Sequence, residues 1–338
     1  MKIFLRSPNW IGDCVMSLPA VRALKAHMPE SEILIISKSG LSSIYKNIPE
    51  ISEIIEIPHE KRTRAFLSSI RILKSYRIRE GILFTNSFRS ALIMRLSGVR
   101  NLTGYSKDLR GWLLRKKKKF NGKSMHQIRS YKMLIELFLD HKVGDFPNSL
   151  VFTKKEKESA LNILKKNGFA GNSKLIGISP AAAYGPSKEW PANNFAELIQ
   201  NVSQKVRNTK FVVFGSVKEE EKIKRIIDSV SEPVIVIAGN YSLREAITII
   251  SSCDVFVGND SGLLHTADGA GVPSIGIFGP TSPGITSPPG DKTELIYKSV
   301  ECSPCSFRVC PIDHKCMSRI SVTEISSKII DLLKPLSK

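Results

Sequence analysis

Two hydrophobic periods alternate along this chain. Short apolar runs at 2–7, 32–37, 54–57 and 81–84 have the length of buried strands. Among them lie segments in which apolar residues recur every three or four positions. Val15, Leu18, Val21 and Leu24 form one such stripe after Ile11, and Pro19 within it predicts a kink or a restart. Helices are expected also at 64–76, 87–96 and 125–139. This is a βα series, which folds as a mostly parallel sheet. A charged amphipathic helix at 154–166 ends at Asn167-Gly168, with Gly171-Asn172 just beyond. The domain boundary is placed there, with a first domain at 1–168 and a second at 172–338. The pattern then restarts. Strands are expected at 174–179, 211–215, 234–237, 254–257, 274–278 and 293–298, and helices at 193–206, 242–250, 261–269 and 322–333. In the last helix Ile325, Ile329 and Leu333 share one stripe.

Composition narrows the class. With 338 residues, 42% hydrophobic content and a mean hydropathy of −0.06, the chain reads as soluble and large enough for two cores. No run of 18 apolar residues occurs. The segment MKIFLRSPNW reads as a strand and turn rather than a signal peptide, so a cytoplasmic location is expected. The net charge of +19 implies an anionic partner: nucleic acid, a membrane surface or a phosphorylated substrate. Much of it sits at 107–123. There Lys107, Arg110, Arg115, Lys116, Lys117, Lys118, Lys119 and Lys123 face one acid, Asp108, with Trp112, Leu113, Leu114 and Phe120 interleaved. Such a run is either a solvated loop or a surface that meets anionic lipid while its apolar residues dip into the interface. Nucleic acid is the rival partner, but no recognised nucleic-acid motif accompanies the run.

Candidate chemistry gathers where strands end. The stretch DVFVGNDSGLLHTADGAGVPSIGIFGPTSP is a strand–turn–helix–strand unit, and ligands of open parallel sheets bind at such carboxyl ends. Ser261, Gly262 and Leu263 would present helix-start N–H groups to an anion, with Asp260 and His265 adding titratable groups. The competing reading is a capped crossover helix with Asp260 as the cap. Gly12 lets the backbone approach a ligand, and Asp13 is a helix cap or a general base. Asn86, Ser87 and Arg89 follow the 81–84 strand, as polar substrate contacts or as a cap with an exposed arginine. In the loop PAAAYGPSKEWP, Lys188 is a mobile cation suited to a leaving diphosphate, or a solvated lysine. The fingerprint G-x-G-x-x-G is absent from the first turn, which argues against a dehydrogenase. Cys302, Cys305, Cys310 and Cys316, with His314 among them, can hold a structural zinc. Their spacing is not that of a standard ribbon or finger, so free thiols remain the alternative.

The segments SPNWIGDCVMSLPAVRALK, TNSFRSAL, AAAYGPSKEWP, GNDSGLLHTADGAGVP, FGPTSP and CSPCSFRVCPIDHKCM together resemble the ADP-heptose:lipopolysaccharide heptosyltransferases, most of all their type II members. The resemblance runs in order over nearly the whole chain. It implies an α/β, GT-B fold, two Rossmann-like domains facing a central cleft, with the acceptor on the first and the nucleotide sugar on the second. It implies inverting transfer of heptose from ADP-heptose to the inner core of lipopolysaccharide, with no cofactor or metal required for catalysis. The absence of an Asp-x-Asp pair agrees. By the same resemblance, Asp13 is the catalytic base and Lys188 stabilises the departing diphosphate. Asp260 contacts the donor sugar, and Ser261, Gly262 and Leu263 hold the phosphates. His265 lies near the diphosphate, and Glu219 and Tyr241 lie near ribose and adenine. Gly12 and Ser187 are grouped with the donor contacts, and Asn86, Ser87 and Arg89 with the acceptor. The implied surroundings are the inner face of the inner membrane, whose anionic surface the protein would meet peripherally. Two rivals stand beside this reading: another GT-B enzyme with a different acceptor or nucleotide sugar, and a nucleic-acid-binding protein using the basic run.

Overall fold

The computed structural model describes residues 1–58, 63–120 and 125–334. The chain forms two compact units, Met1–Val151 and Phe152–Lys338. In the first, β1 (Lys2–Arg6) leads into α1 (Ile11–His27), β2 (Glu32–Lys38), β3 (Glu53–Ile57), α2 (Thr63–Ser75), β4 (Glu80–Leu83), α3 (Phe88–Leu96), β5 (Asn101–Tyr105), β6 (Lys116–Lys118) and α4 (Gln127–Leu139). The strands pair in parallel in the order β3-β2-β1-β4-β5-β6. The central strands β1 and β2 are buried along almost their whole length, as continuous apolar runs in a sheet covered on both faces should be. Phe4, Leu34, Ile36, Leu83 and Leu102 meet Leu73, Ala91 and Met94 in one core cluster.

Helix α1 runs unbroken from Ile11 to His27 with Pro19 inside it. Of the kink or restart expected at Pro19, the restart does not occur. Its flanks, Leu18 and Ala20, are completely buried, and packing on this scale outweighs the backbone bond that proline removes.

The second unit contains α5 (Lys154–Lys166), β7 (Lys174–Ser179), α6 (Ala192–Lys205), β8 (Thr209–Gly215), α7 (Glu220–Ile227), β9 (Val234–Ala238), α8 (Leu243–Ile250), β10 (Val255–Asn259), α9 (Gly262–Gly269), β11 (Ser274–Phe278), α10 (Pro283–Thr286), β12 (Thr293–Tyr297), α11 (Lys315–Ser318) and α12 (Val322–Leu333). Its sheet, also parallel throughout, has the order β12-β11-β10-β7-β8-β9. Numbered within the unit and read from the other edge, that is the 3-2-1-4-5-6 order of the first sheet. Each sheet therefore reverses direction once, between β1 and β4 and between β7 and β10, and a crevice forms outside the carboxyl ends at such a point. One face of the second sheet packs with α6 and α12 through Phe195, Ile199, Ile325 and Ile329. The other packs through Leu164, Ile249 and Leu264.

The boundary differs from the one drawn at 168–172. Helix α5 belongs to the second unit, because Ala160 and Leu164 are buried in the same cluster as Ile249 and Ile250. Arg244, at the start of α8, grips Glu156 with Nε at 2.8 Å from Oε1 and Nη2 at 3.0 Å from Oε2. Its guanidinium lies over the Phe152 ring. The Asn167-Gly168 pair stops the helix as expected, with Gly168 at φ 91°, but the units divide before the helix rather than after it.

Candidate active site

At the reversal point of the first unit, Arg6 closes β1. Its buried guanidinium donates to the carbonyls of Ser7 (2.9 Å) and Ile36 (3.1 Å) and to Asn9 Oδ1 (3.2 Å). That fixes the turn into α1. Gly12 is buried and Asp13 half-buried on the first helical turn, where a carboxylate is favoured by the helix dipole. Burial pushes the neighbouring Cys14 thiol up to about 12. Burial, reinforced by the charge of Asp13, likewise holds the Tyr131 hydroxyl well above its ordinary value. Both groups stay protonated near neutrality.

The residues after β4 reach the same sheet edge, already engaged. Ser87 is the N-cap of α3, its hydroxyl accepting from the Ser90 amide at 3.3 Å. Asn86 Oδ1 accepts from Arg110 Nη2 at 3.3 Å. The Arg89 guanidinium lies 4.9 Å over the Phe66 ring rather than in open solvent. Arg110, expected on the charged surface, is fully buried. Its Nε donates to the Tyr105 carbonyl at 2.8 Å and its Nη1 to that of Ser87 at 3.3 Å. Burial lowers its pKa to about 10. It ties the ends of β4 and β5 together from within.

The rest of the basic run divides in the same way. Lys116 pairs with Asp140 and donates to the Phe138 carbonyl at 2.8 Å, whereas Lys107, Arg115, Lys117, Lys118 and Lys119 are exposed. Lys123 lies outside the described residues. Leu113 and Leu114 are in the core, and Phe120 packs against Tyr105 with Lys107 above its ring. The apolar residues that face outward are Trp112, 70% exposed, and Leu109, 91% exposed. Asp108 and Leu109 are consecutive left-handed residues (φ 52° and 57°), which raises Leu109 on the tip of a turn.

In the second unit the reversal point carries an ion pair. Lys188 Nζ lies 2.5 Å from Asp260 Oδ2, and both side chains are nearly buried. Lys188 leaves a single 3₁₀ turn, Pro186–Lys188, with its ammonium also above the Tyr184 ring at 4.9 Å. Asp260 is thus not the cap of α9. Ser261 takes that position without a capping side-chain bond, and its hydroxyl is buried with no partner among the described residues. Asp260 is occupied sideways instead, accepting from Thr281 Oγ1 at 2.6 Å. Gly262 and Leu263 follow on the first turn, half-buried, and His265 is buried one turn deeper.

Two further donor candidates are bound up in local structure. Glu219 closes a capping box, accepting from the Ser216 amide at 2.7 Å. The Tyr241 ring packs on the core cluster while its hydroxyl accepts from Asn167 Nδ2 at 3.1 Å. They follow β8 and β9, so they lie on the same sheet edge as Lys188 and Asp260. Asn259 was not foreseen. Its Oδ1 accepts from the Trp190 amide and its Nδ2 donates to the Pro180 carbonyl, both at 2.9 Å. One buried amide therefore brackets the Lys188 loop. Its only sequence signal was its place beside Asp260.

The four cysteines differ in exposure. Cys302 is exposed, Cys305 and Cys310 are half-buried and Cys316 is buried in α11. Burial and then the three other thiols raise Cys316 to about 11, so the four share one neighbourhood. Among the described residues, however, no group of three or more His, Cys, Asp or Glu is placed to hold a metal ion. His314 is turned away, its Nε2 lying 2.6 Å from the Ser187 carbonyl.

Residues 67–316 match the model of Glycosyltransferase family 9 (heptosyltransferase). The chain belongs to that family. It is a glycosyltransferase, and its two parallel-sheet units are those of a GT-B fold. Among its relatives in family 9, Lipooligosaccharide heptosyltransferase 2 of Campylobacter jejuni (strain 81116) is 28% identical over 344 residues, covering 100% of this chain and 99% of the relative. Lipopolysaccharide heptosyltransferase 2 of Salmonella typhimurium (strain LT2) is 28% identical, covering 88% of each. The solved structure of E. coli ADP-heptose lps heptosyltransferase II superposes with a TM-score of 0.82 at 26% identity, covering 98% of both chains. Among the described residues no helix is long and apolar enough to cross a membrane.

Proposed function

We propose that this family 9 enzyme moves heptose from ADP-heptose to the inner core of lipopolysaccharide, inverting the anomeric carbon, with no metal ion at the diphosphate. The observation that carries the reading is the buried Lys188–Asp260 pair beside the start of α9, in a chain similar over its length to heptosyltransferases 2. An acceptor hydroxyl oxygen attacks the anomeric carbon and gives its proton to the Asp13 carboxylate. The bond from that carbon to the β-phosphate oxygen breaks, and its electron pair leaves on ADP. A lysine ammonium has three donors. Asp260 occupies one and aims the ammonium, which leaves the others for phosphate oxygens. The first amides of α9 add fixed partial positive charge. Donors already in place stabilise charge as it develops, without reorganisation.

The partner surface is the anionic cytoplasmic face of the inner membrane. Leu109 and Trp112 enter the interface, and Lys107, Lys117, Lys118 and Lys119 lie among the headgroups. Exposed apolar residues ringed by lysines support this.

The test is an assay with ADP-heptose and a panel of truncated lipopolysaccharide cores, with and without EDTA. Transfer to an inner-core acceptor that survives EDTA is expected. Transfer only from another nucleotide sugar, or only to another acceptor, overturns the assignment.

A further inference from the structure

Residues 302–316 take no part in the chemistry above, yet they grip the segment that carries Lys188. The Arg308 carbonyl accepts from the Ser187 amide at 3.1 Å, and the Phe307 carbonyl accepts from the Ser187 hydroxyl at 2.5 Å. The Ser306 carbonyl accepts from the Tyr184 hydroxyl at 2.7 Å. The direction reverses at His314. Its Nε2 lies 2.6 Å from the Ser187 carbonyl, which can only accept, so Nε2 carries the proton. Ser187 thus spends its amide, hydroxyl and carbonyl on one neighbouring loop. At Gly185 (φ 157°) an added Cβ would lie 2.4 Å from the Arg308 carbonyl oxygen, so only glycine lets the two backbones come this close.

The same loop reaches the other side of the ion pair. The Ser306 amide donates to the Pro280 carbonyl at 2.8 Å, and the Ser303 hydroxyl donates to that of Gly279. Thr281, the next residue, donates to Asp260. Ser306 and His314 both hold left-handed backbone (φ 58° and 54°), a conformation that persists where the surroundings enforce it.

We propose that the cysteine-bearing loop is a strap that holds the Lys188 turn in register with Asp260, and that His314 is a positioning residue acting through Ser187. A single 3₁₀ turn has little stability of its own. Its anchors must come from elsewhere, and this loop supplies them at Ser187 and Tyr184, beside the Asn259 bracket at its two ends. The catalytic consequence rests on the role proposed above for Lys188. The strap itself does not.

The test uses the full chain with His314→Ala and His314→Gln, read by amide hydrogen exchange and by steady-state kinetics. In His314→Ala, exchange at Ser187 and Lys188 should rise about tenfold, with β10 and β11 unchanged, as expected for one lost hydrogen bond. The kcat should fall about tenfold or more while KM for ADP-heptose moves much less, because small misplacement of a charge-stabilising group acts on the transition state. Glutamine can donate to the same carbonyl, so His314→Gln should recover most of both. Unchanged exchange at 185–189 in His314→Ala overturns the strap. Equal kcat losses in the two variants overturn the positioning role. Should His314→Ala fail to fold, Ser187→Ala, which removes only the bond to Phe307, must still raise local exchange, or the proposal fails. If the wild type transfers no heptose, the exchange readout still decides the strap.

Discussion

The crevices at β1/β4 and β7/β10 are built on one strand order but furnished differently. In the first unit, Asp13 is half-buried near a buried thiol and a buried tyrosine, and the one buried guanidinium of the turn, Arg6, donates to carbonyls and to Asn9. In the second, opposite charges meet at 2.5 Å, with Thr281 and Asn259 holding the surrounding loops. On the role proposed for it, Asp13 must gain a proton during the reaction. A paired setting suits a cation that must stay charged and aimed while negative charge grows beside it. The scaffold supplies a crevice twice, and the side chains decide what each does.

The largest effect should come from the first unit's crevice. Asp13→Asn removes the proton acceptor with little change of shape. Turnover should fall by about 100- to 10,000-fold, while calorimetry shows ADP-heptose binding unchanged. Near-normal turnover would reduce Asp13 to a favourable charge on a helix end.

Next is the paired corner. Lys188→Ala strands a buried carboxylate, and breaking such a pair costs about 3–5 kcal/mol. The double variant Lys188→Met/Asp260→Asn should recover much of that stability in urea unfolding but none of the rate. Recovery of both would mean that the pair is structural.

A third measurement concerns what the first unit shows to solvent. Replacing Lys117, Lys118 and Lys119 by glutamine should weaken binding to vesicles rich in anionic lipid by about 1 kcal/mol per charge. Leu109→Ser/Trp112→Ser should weaken it further at high salt, where the charges are screened. Activity on a soluble deacylated acceptor should hardly change. Vesicle binding indifferent to both sets removes the membrane surface from the proposal.

The smallest effect sits on α5, which the second unit has and the first lacks. Its hydrogen bonds to Arg244 hold Glu156 at about 2, down from 4.5. A depressed carboxylate stabilises the fold above its unfolded value. That contribution is therefore full above pH 4.5 and is lost as pH falls from 4.5 toward 2. Thermal midpoints of wild type and Glu156→Gln should differ at pH 6 and converge near pH 2. A constant gap would place the stabilisation elsewhere.

The alternating units were legible because buried parallel strands and amphipathic helices write different periods into the sequence. Strands β5 and β6 were not. Asn101–Tyr105 mixes Asn, Thr and Gly with two apolar residues, and β6 is three lysines on a sheet edge, where pairing with a neighbour overrides propensity. The domain boundary was drawn after α5 because only packing shows that this helix joins the second unit. Asp13, Lys188 and Asp260 were found by their places after strands, but nothing local shows that Lys188 and Asp260 meet across 72 residues. The fate of Arg110 was equally hidden. Within a run of cations it reads as one more surface charge, and only tertiary structure shows it burying its guanidinium against carbonyls.

Asn259 joins the amide of Trp190 to the carbonyl of Pro180 through one side chain, which turns the segment between them into a covalently open but topologically closed ring. Substitutions inside such a ring leave its circumference alone. An inserted or deleted residue changes it, and with Ser187 tied on its outer side the slack can be taken up only by displacing Lys188 or opening a bracket bond. Natural variants of this enzyme should accordingly exchange residues between 180 and 190 while keeping the segment's length, whereas loops without such a clasp should drift in length freely.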